Sequence, residues 1–226
     1  MKNNVLILGD GLLGSELKRQ TNWKVRSRNN GFNIENITDT LQLDTIPDII
    51  VNCIAHTDTY EESRERHWNV NYKFVSDLVD FCNNYNIKLV HISTDYIYTN
   101  SNNNASEDDV PVHCNNWYGY TKLLGDGHVQ LKCNDYILVR CQHKPRPFPY
   151  PSAWLDQVGN FDYVDTITKI IIKLINKKCS GVYNVGTNLK SMYSLATITN
   201  SVNGVLKPSN VPSNTSMNIL KLNKVI

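Results

Sequence analysis

Among the 226 residues no apolar run approaches the roughly 20 residues that cross a bilayer; the most hydrophobic late stretch, Ile170-Ile171-Ile172-Lys173-Leu174-Ile175, is short and broken by a lysine. Charge of one sign is equally scarce. With 23 Lys and Arg against 21 Asp and Glu, the formal charge of +2 excludes the strongly basic surface that grips a nucleic acid backbone. The six cysteines include no CxxC pair and no zinc-ligand spacing, so neither a disulfide frame nor a metal site is expected, and reduced thiols suit a cytoplasmic setting. Met1-Lys2-Asn3-Asn4 runs straight into a short apolar strand and carries no signal-peptide pattern. These absences leave one sizeable core and small-molecule work, with no nucleic acid and no membrane as partner.

Short apolar runs then alternate with helical patterns, the mark of βαβ units and a parallel sheet. Strands are expected at Val5–Leu8, Trp23–Arg26, Asp48–Cys53, Ile87–Ile92, Tyr136–Arg140 and Gly181–Val185. A helix follows the first glycines to about Gln20. A long one is expected from Glu61 to about Asn84, with Trp68, Tyr72, Val75, Leu78, Val79 and Cys82 on one face. Others are expected over Trp117–Lys132 and over Tyr163–Lys177, the latter with Val164, Ile167, Ile171, Leu174 and Ile175 together. Residues 101–116 read as a polar loop, and the segment after Val185 as a polar tail. The proline-rich run Lys144–Pro151 can be neither helix nor inner strand, because proline fixes φ and removes a donor. It divides residues 1–140, a dinucleotide-binding region, from residues 141–226, a small region packed on it as part of one cooperative unit.

Gly9-x-Gly11-x-x-Gly14, between a strand and a helix, sets bare N–H groups and a positive helix end, including Leu12 and Leu13, against a pyrophosphate. The second strand ends in Arg26-Ser27-Arg28 with no acid, which favours the phosphate of NADP(H) over the ribose hydroxyls of NAD(H). A solvated loop would also suit that pair of arginines. Tyr118 and Lys122 lie one helical turn apart on one face, where they can act on a common cofactor and substrate. The spacing predicts that the lysine cation favours the phenolate. Thr94, after Ile92 and Ser93 at a strand end, stands where open α/β sheets present ligand-contacting groups and can polarise a carbonyl.

Taken together these blocks resemble the extended short-chain dehydrogenase/reductases and, within them, the dTDP-4-dehydrorhamnose reductases. The resemblance rests on Asp48–Thr57 with Glu61-Glu62-Ser63, on Asn69-Val70-Asn71, on Val90–Tyr98 and on Trp117–Leu123, in family order over residues 3 to about 140. It implies a Rossmann-like, doubly wound α/β fold with a small, shortened C-terminal substrate region. It implies NADPH-dependent reduction of a nucleotide-linked 4-keto-6-deoxy sugar, with Tyr118 as proton donor, Lys122 as its pKa partner and ribose clamp, Thr94 on the carbonyl, and Asn71 in a proton relay. Ala55, His56, Thr57 and Ile92 would touch the cofactor, and Asp95 and Tyr96 the substrate. A homodimer is implied as well.

Departures from the family pattern keep other readings open. The glycines are spaced one residue tighter than usual, and after Arg140 the chain lacks a helix that walls the sugar-nucleotide pocket. His143 stands near a substrate-contacting tryptophan position, and Lys144 and Arg146 are the cations nearest for a diphosphate; Lys190 is a weaker candidate. Asp95-Tyr96-Ile97 stands where bifunctional epimerase-reductases carry a cysteine, which favours a pure reductase. The alternatives are a non-catalytic NADP-binding subunit like the regulatory β subunit of methionine adenosyltransferase, and a nucleotide-sugar epimerase or dehydratase.

Overall fold

In the computed structural model, which describes residues 4–41, 45–99, 103–109, 116–209 and 211–226, the short β-branched runs become strands whose side chains bury on both faces. β1 (Val5–Leu8), β2 (Lys24–Arg26), β3 (Ile49–Asn52), β4 (Lys88–Thr94) and β5 (Tyr136–Cys141) alternate with α1 (Leu12–Thr21), α2 (Ile37–Leu41), α3 (Arg64–Trp68), α4 (Phe74–Asn84) and α5 (Trp117–Lys132). Beyond β5 come β6 (His143–Lys144), β7 (Ser152–Trp154), β8 (Val158–Gly159), β9 (Asp162–Tyr163), α6 (Val164–Asn176) and β10 (Gly181–Asn184). They are followed by β11 (Lys190–Ser191), α7 (Met192–Ala196), β12 (Asn203–Val205), β13 (Asn214–Thr215) and α8 (Leu220–Asn223).

Six strands form one parallel sheet in the order β10-β5-β4-β3-β1-β2. β1 has β2 on one side and β3 on the other, so the winding reverses between β1 and β3, and ligands of such sheets bind at the carboxyl ends of strands beside that reversal. Alternate residues supply the two layers. Ile7, Val51, Val90 and Val139 pack with Leu17 of α1 and Ile167, Ile171 and Leu174 of α6. Leu8, Ile50, Leu89 and Leu138 pack with Phe74, Val75, Leu78 and Val79 of α4. α6 and β10 therefore return to the main sheet from beyond residue 140, and all five residues expected on the inner face of α6 are buried.

Three expectations are revised. The long helix starts at Arg64 instead of Glu61, because Asp58 Oδ1 accepts from the N–H groups of Tyr60 (2.9 Å) and Glu61 (3.1 Å) and holds those residues in a turn. The helix also carries a π turn over Asn69–Lys73 between α3 and α4. That turn rotates what precedes it, so Trp68 leaves the face that Val75, Leu78, Val79 and Cys82 bury and is 43% exposed. The expected polar tail is ordered by pairing remote in sequence, β12 with β7 and β13 with β8, and buries Val211, Met217 and Leu222. Much of the polar loop expected at 101–116, with Cys114, lies outside the described residues. Among the described residues no helix stands between β5 and α6, and none is long and apolar enough to cross a membrane.

A buried ion pair fixes α5 on the sheet. Arg140 of β5 donates from Nε and Nη2 to the two carboxylate oxygens of Asp126, each at 3.0 Å, and Ser93 of β4 donates to Asp126 Oδ2 at 3.0 Å. Arg140 Nη1 also reaches the Tyr98 hydroxyl, which lies 3.0 Å from Asn184 Oδ1 of β10. Removing one member strands a buried charge. Arg140→Met is expected to lower unfolding free energy by about 3–5 kcal/mol in urea denaturation, and adding Asp126→Leu to it is expected to recover most of that loss.

Candidate active site

The carboxyl ends of β1, β3, β4 and β5 open into a cleft of about 810 Å³. Its floor at one end is the glycine turn. Gly9 has φ +97°, a conformation L side chains rarely adopt, and a Cβ on Gly14 would stand 2.0 Å from the Gly9 carbonyl oxygen, so α1 can lie this close to β1 only with glycine there. A Cβ on Gly11 would meet nothing within 4 Å, which leaves open space over the backbone. Gly11 is also the N-cap of α1, no side chain caps that end, and no acid stands in its first turn. Uncapped N–H groups and the helix dipole make this turn, with Leu12 and Leu13 on the cleft wall, fit a pyrophosphate.

At the end of β2 the expected trio divides. Arg26 Nε donates to the Leu41 carbonyl at 3.2 Å, Ser27 is buried with its hydroxyl donating to Asp10 Oδ2 at 2.8 Å, and Arg28 is exposed. Asp10, between the first two glycines, escaped the sequence reading. Its signal is its position alone.

A second wall of the cleft is built by β4 and α5. Thr94 is the last residue of β4, buried, with Oγ1 accepting from the Tyr96 N–H at 3.2 Å and capping the 3₁₀ turn Asp95–Tyr98. Tyr118 stands on the same cleft wall as Thr94 and meets Tyr96 edge-on at 5.9 Å. Loss of hydration pushes its phenol well above the ordinary value, with the Thr94 hydroxyl acting in the opposite sense. Lys122 is fully enclosed one turn on and donates to the Ile92 carbonyl at 2.6 Å. Burial brings it down to about 8, opposed by the Asp126 carboxylate. The ammonium sits on a backbone carbonyl, and burial, with no contribution from the lysine, pushes the phenol up instead of favouring the phenolate.

Asn71 has a structural task. At the π turn, its Oδ1 accepts from the His56 N–H at 2.9 Å, while Nδ2 donates to the His56 carbonyl at 3.0 Å and to Thr121 Oγ1 at 3.2 Å. This binds the Ala55-His56-Thr57 turn to α5, with Ala55 and Thr57 on the cleft and the His56 ring on Glu61. A Cβ on Gly125 would stand 2.5 Å from the Asn71 carbonyl oxygen, so α5 and the π turn touch backbone to backbone.

On the opposite wall stand His143 and Lys144, with Gln142, Phe148, Tyr150, Trp154 and Met192, none of which but the first two was anticipated. Desolvation holds His143 down near 4 and therefore neutral, and its Nδ1 and Gln142 Oε1 are buried without a partner among the described residues. Tyr96 lines the cleft. Asp95 does not: it is fully buried, accepts from Thr215 Oγ1 at 2.6 Å, and is raised to about 6 by burial. Arg146 pairs with Asp165 at 3.0 Å and lies over the Tyr163 ring, and Lys190 is held by Asp162 and Thr187, so neither reaches the cleft.

Parallel sheet, glycine turn and a Thr-Tyr-Lys wall at the sheet's carboxyl edge define a Rossmann protein of the extended short-chain dehydrogenase/reductase type. The chain belongs to the family described as the RmlD substrate binding domain, which matches residues 2–143. It is 26% identical over 169 residues to the spore coat polysaccharide biosynthesis protein SpsK of Bacillus subtilis, covering 67% of this chain and 59% of that protein. To the dTDP-4-dehydrorhamnose reductase of Mycolicibacterium smegmatis it is 30% identical over 132 residues, 54% of this chain and 36% of the other. The aligned parts thus span less than two thirds of these relatives. Among solved structures, the fold is shared with a hypothetical dTDP-4-dehydrorhamnose reductase from Sulfolobus tokodaii (TM-score 0.84, 22% identity, 99% of this chain, 94% of that one). It is shared too with the reductase of Bacillus anthracis in complex with NADP (TM-score 0.83, 24% identity, 99% and 92%).

Asn71→Ala should leave the His56 N–H and carbonyl without their side-chain partner and lower stability by about 1–3 kcal/mol in urea denaturation, with faster amide exchange at His56 as the local sign.

Proposed function

We propose that this protein is an NADPH-dependent reductase of a nucleotide-linked 4-keto-6-deoxy sugar. The observation that carries the reading is that the glycine turn and the Thr94, Tyr118 and Lys122 side chains face one cleft from the carboxyl edge of a single sheet. When bound, the nicotinamide supplies a hydride to the keto carbon. The protein supplies the proton and the fixed dipoles. Tyr118, a protonated phenol in an enclosed site, gives its proton to the ketone oxygen as that oxygen takes up charge, so the carbonyl becomes an alcohol. Thr94, on the same wall as Tyr118, turns its hydroxyl proton to the same oxygen and stabilises the developing charge. Lys122, beside the Ile92 carbonyl, holds the ribose hydroxyls next to the nicotinamide, and the Gly11 turn with the α1 N-terminus holds the pyrophosphate.

Neutral His143 and Gln142 line the cleft and suit hydroxyl groups of a sugar, and Tyr150 and Trp154 offer aromatic faces to a base. Among the described residues, Lys144 is the cation on that wall for a diphosphate.

NADPH oxidation with a panel of nucleotide-linked 4-keto-6-deoxy sugars tests this directly. Wild type is expected to turn over at least one of them, and Tyr118→Phe to lose roughly 10²–10⁴-fold in kcat while still binding NADPH. Binding of NADPH with no turnover of any substrate would instead favour a non-catalytic cofactor-binding role. Because Lys122 loses its proton near pH 8, its charge is present below that pH and gone above it. NADPH affinity is accordingly expected to fall as pH rises through about 8 in titrations of the wild type, and to show no such step in Lys122→Gln.

A further inference from the structure

At the crest where β1 and β2 end stands a carboxylate that the reaction above does not use. Asp10 lies between the cradle glycines, and its Oδ2 accepts from Ser27 Oγ at 2.8 Å and from Asn29 Nδ2 at 2.6 Å. Gly9 N–H donates to the Arg26 carbonyl at 2.8 Å, so the glycine turn and residues 26–29 form one continuous surface. A dinucleotide whose pyrophosphate lies on Gly11 and the α1 N-terminus has its adenosine ribose at this surface, because the ribose is the next unit along the molecule. The inference rests on that reading of the glycine turn as a cofactor site.

The surroundings of Asp10 keep it charged: the hydroxyl of Ser27 and the amide of Asn29 hold its carboxyl below the usual range, with Arg28 adding attraction. Among the cations expected here, Arg26 has its Nε on the Leu41 carbonyl, and Arg28 stands in solvent. A fixed carboxylate acts oppositely on the two nicotinamide cofactors. It accepts a hydrogen bond from a free ribose 2′-hydroxyl, and it repels a 2′-phosphate, which carries a charge of about −1.5 to −2.

We propose that Asp10 sets the cofactor choice of this protein, offsetting Arg26 and Arg28 so that NADH is bound alongside NADPH. The usual site of such an acid is the end of the second strand; here it comes from the turn after the first strand and reaches the same place through Ser27 and Asn29.

The test is binding without turnover. Wild type, Asp10→Asn and Arg28→Ala are titrated with NADPH and NADH by quenching of tryptophan fluorescence, with melting temperatures recorded in parallel. Wild-type dissociation constants for the two nucleotides are expected within about tenfold of each other; Asp10→Asn should shift the ratio toward NADPH by about tenfold or more, and Arg28→Ala should shift it toward NADH. An unchanged ratio in Asp10→Asn overturns the proposal while leaving the cofactor site intact. Failure of wild type to bind either nucleotide removes the cofactor site and the proposal together. Should Asp10→Asn not fold, Asn29→Asp, which adds a carboxylate to the same surface, must shift the ratio toward NADH, and no shift there overturns the proposal equally.

Discussion

Arg140 and Asp126 meet in the interior through two parallel hydrogen bonds of 3.0 Å, and the placement of Tyr118 and Lys122 depends on that contact. Asp126 lies one helical turn past Lys122, so the pair fastens α5 to β5 just where the helix must hold its ammonium over the sheet. Ser93 adds a bond from β4, and Tyr98 carries the link on to β10. Two charges in a low-dielectric interior are tolerable only when both are matched, which makes this arrangement specific: sliding α5 by one residue would break both bonds together. The same carboxylate opposes the desolvation of Lys122, so one residue serves helix docking and lysine charge.

The second fastening is steric. α5 and the π turn approach until only Gly125 fits against the Asn71 carbonyl, and the Asn71 amide then reaches both His56 and Thr121. A regular α-helix over 64–84 would carry that amide to a different direction, since a π turn inserts a residue and rotates the segments relative to each other. The displaced Trp68 is the visible consequence. Asn71, which the family resemblance puts in a proton relay, thus has its amide contacts engaged in joining the 55–57 turn to α5.

The far wall of the cleft is made differently. Phe148, Ala153, Phe161, Tyr163, Met192, Leu195 and Ala196 form a small core of their own, and the last segment closes on the turn after β4 through Thr215 and buried Asp95. Asp95 therefore links the C-terminal region to Thr94 from behind, while His143, Gln142 and the aromatic residues face the cleft. The wall lacks a helix between β5 and α6, and its polar atoms are neutral apart from Lys144.

From sequence alone the strand-helix rhythm, the inner faces of α4 and α6, the glycine turn and the residues Thr94, Tyr118 and Lys122 were legible, because each follows from short-range periodicity or from backbone freedom at named positions. Their company in one chain was enough to point to the family. What stayed hidden depends on contacts between residues far apart in the chain: Thr215 on Asp95, Arg140 on Asp126, Arg146 on Asp165 instead of the cleft, and the pairing that orders the supposed tail. Lys122 illustrates the division. Its spacing from Tyr118 placed it on the right helix face, but whether it would meet the phenol or a carbonyl was decided by the depth at which α5 sits on β4, and that depth is set by a buried ion pair and a glycine contact no local pattern encodes.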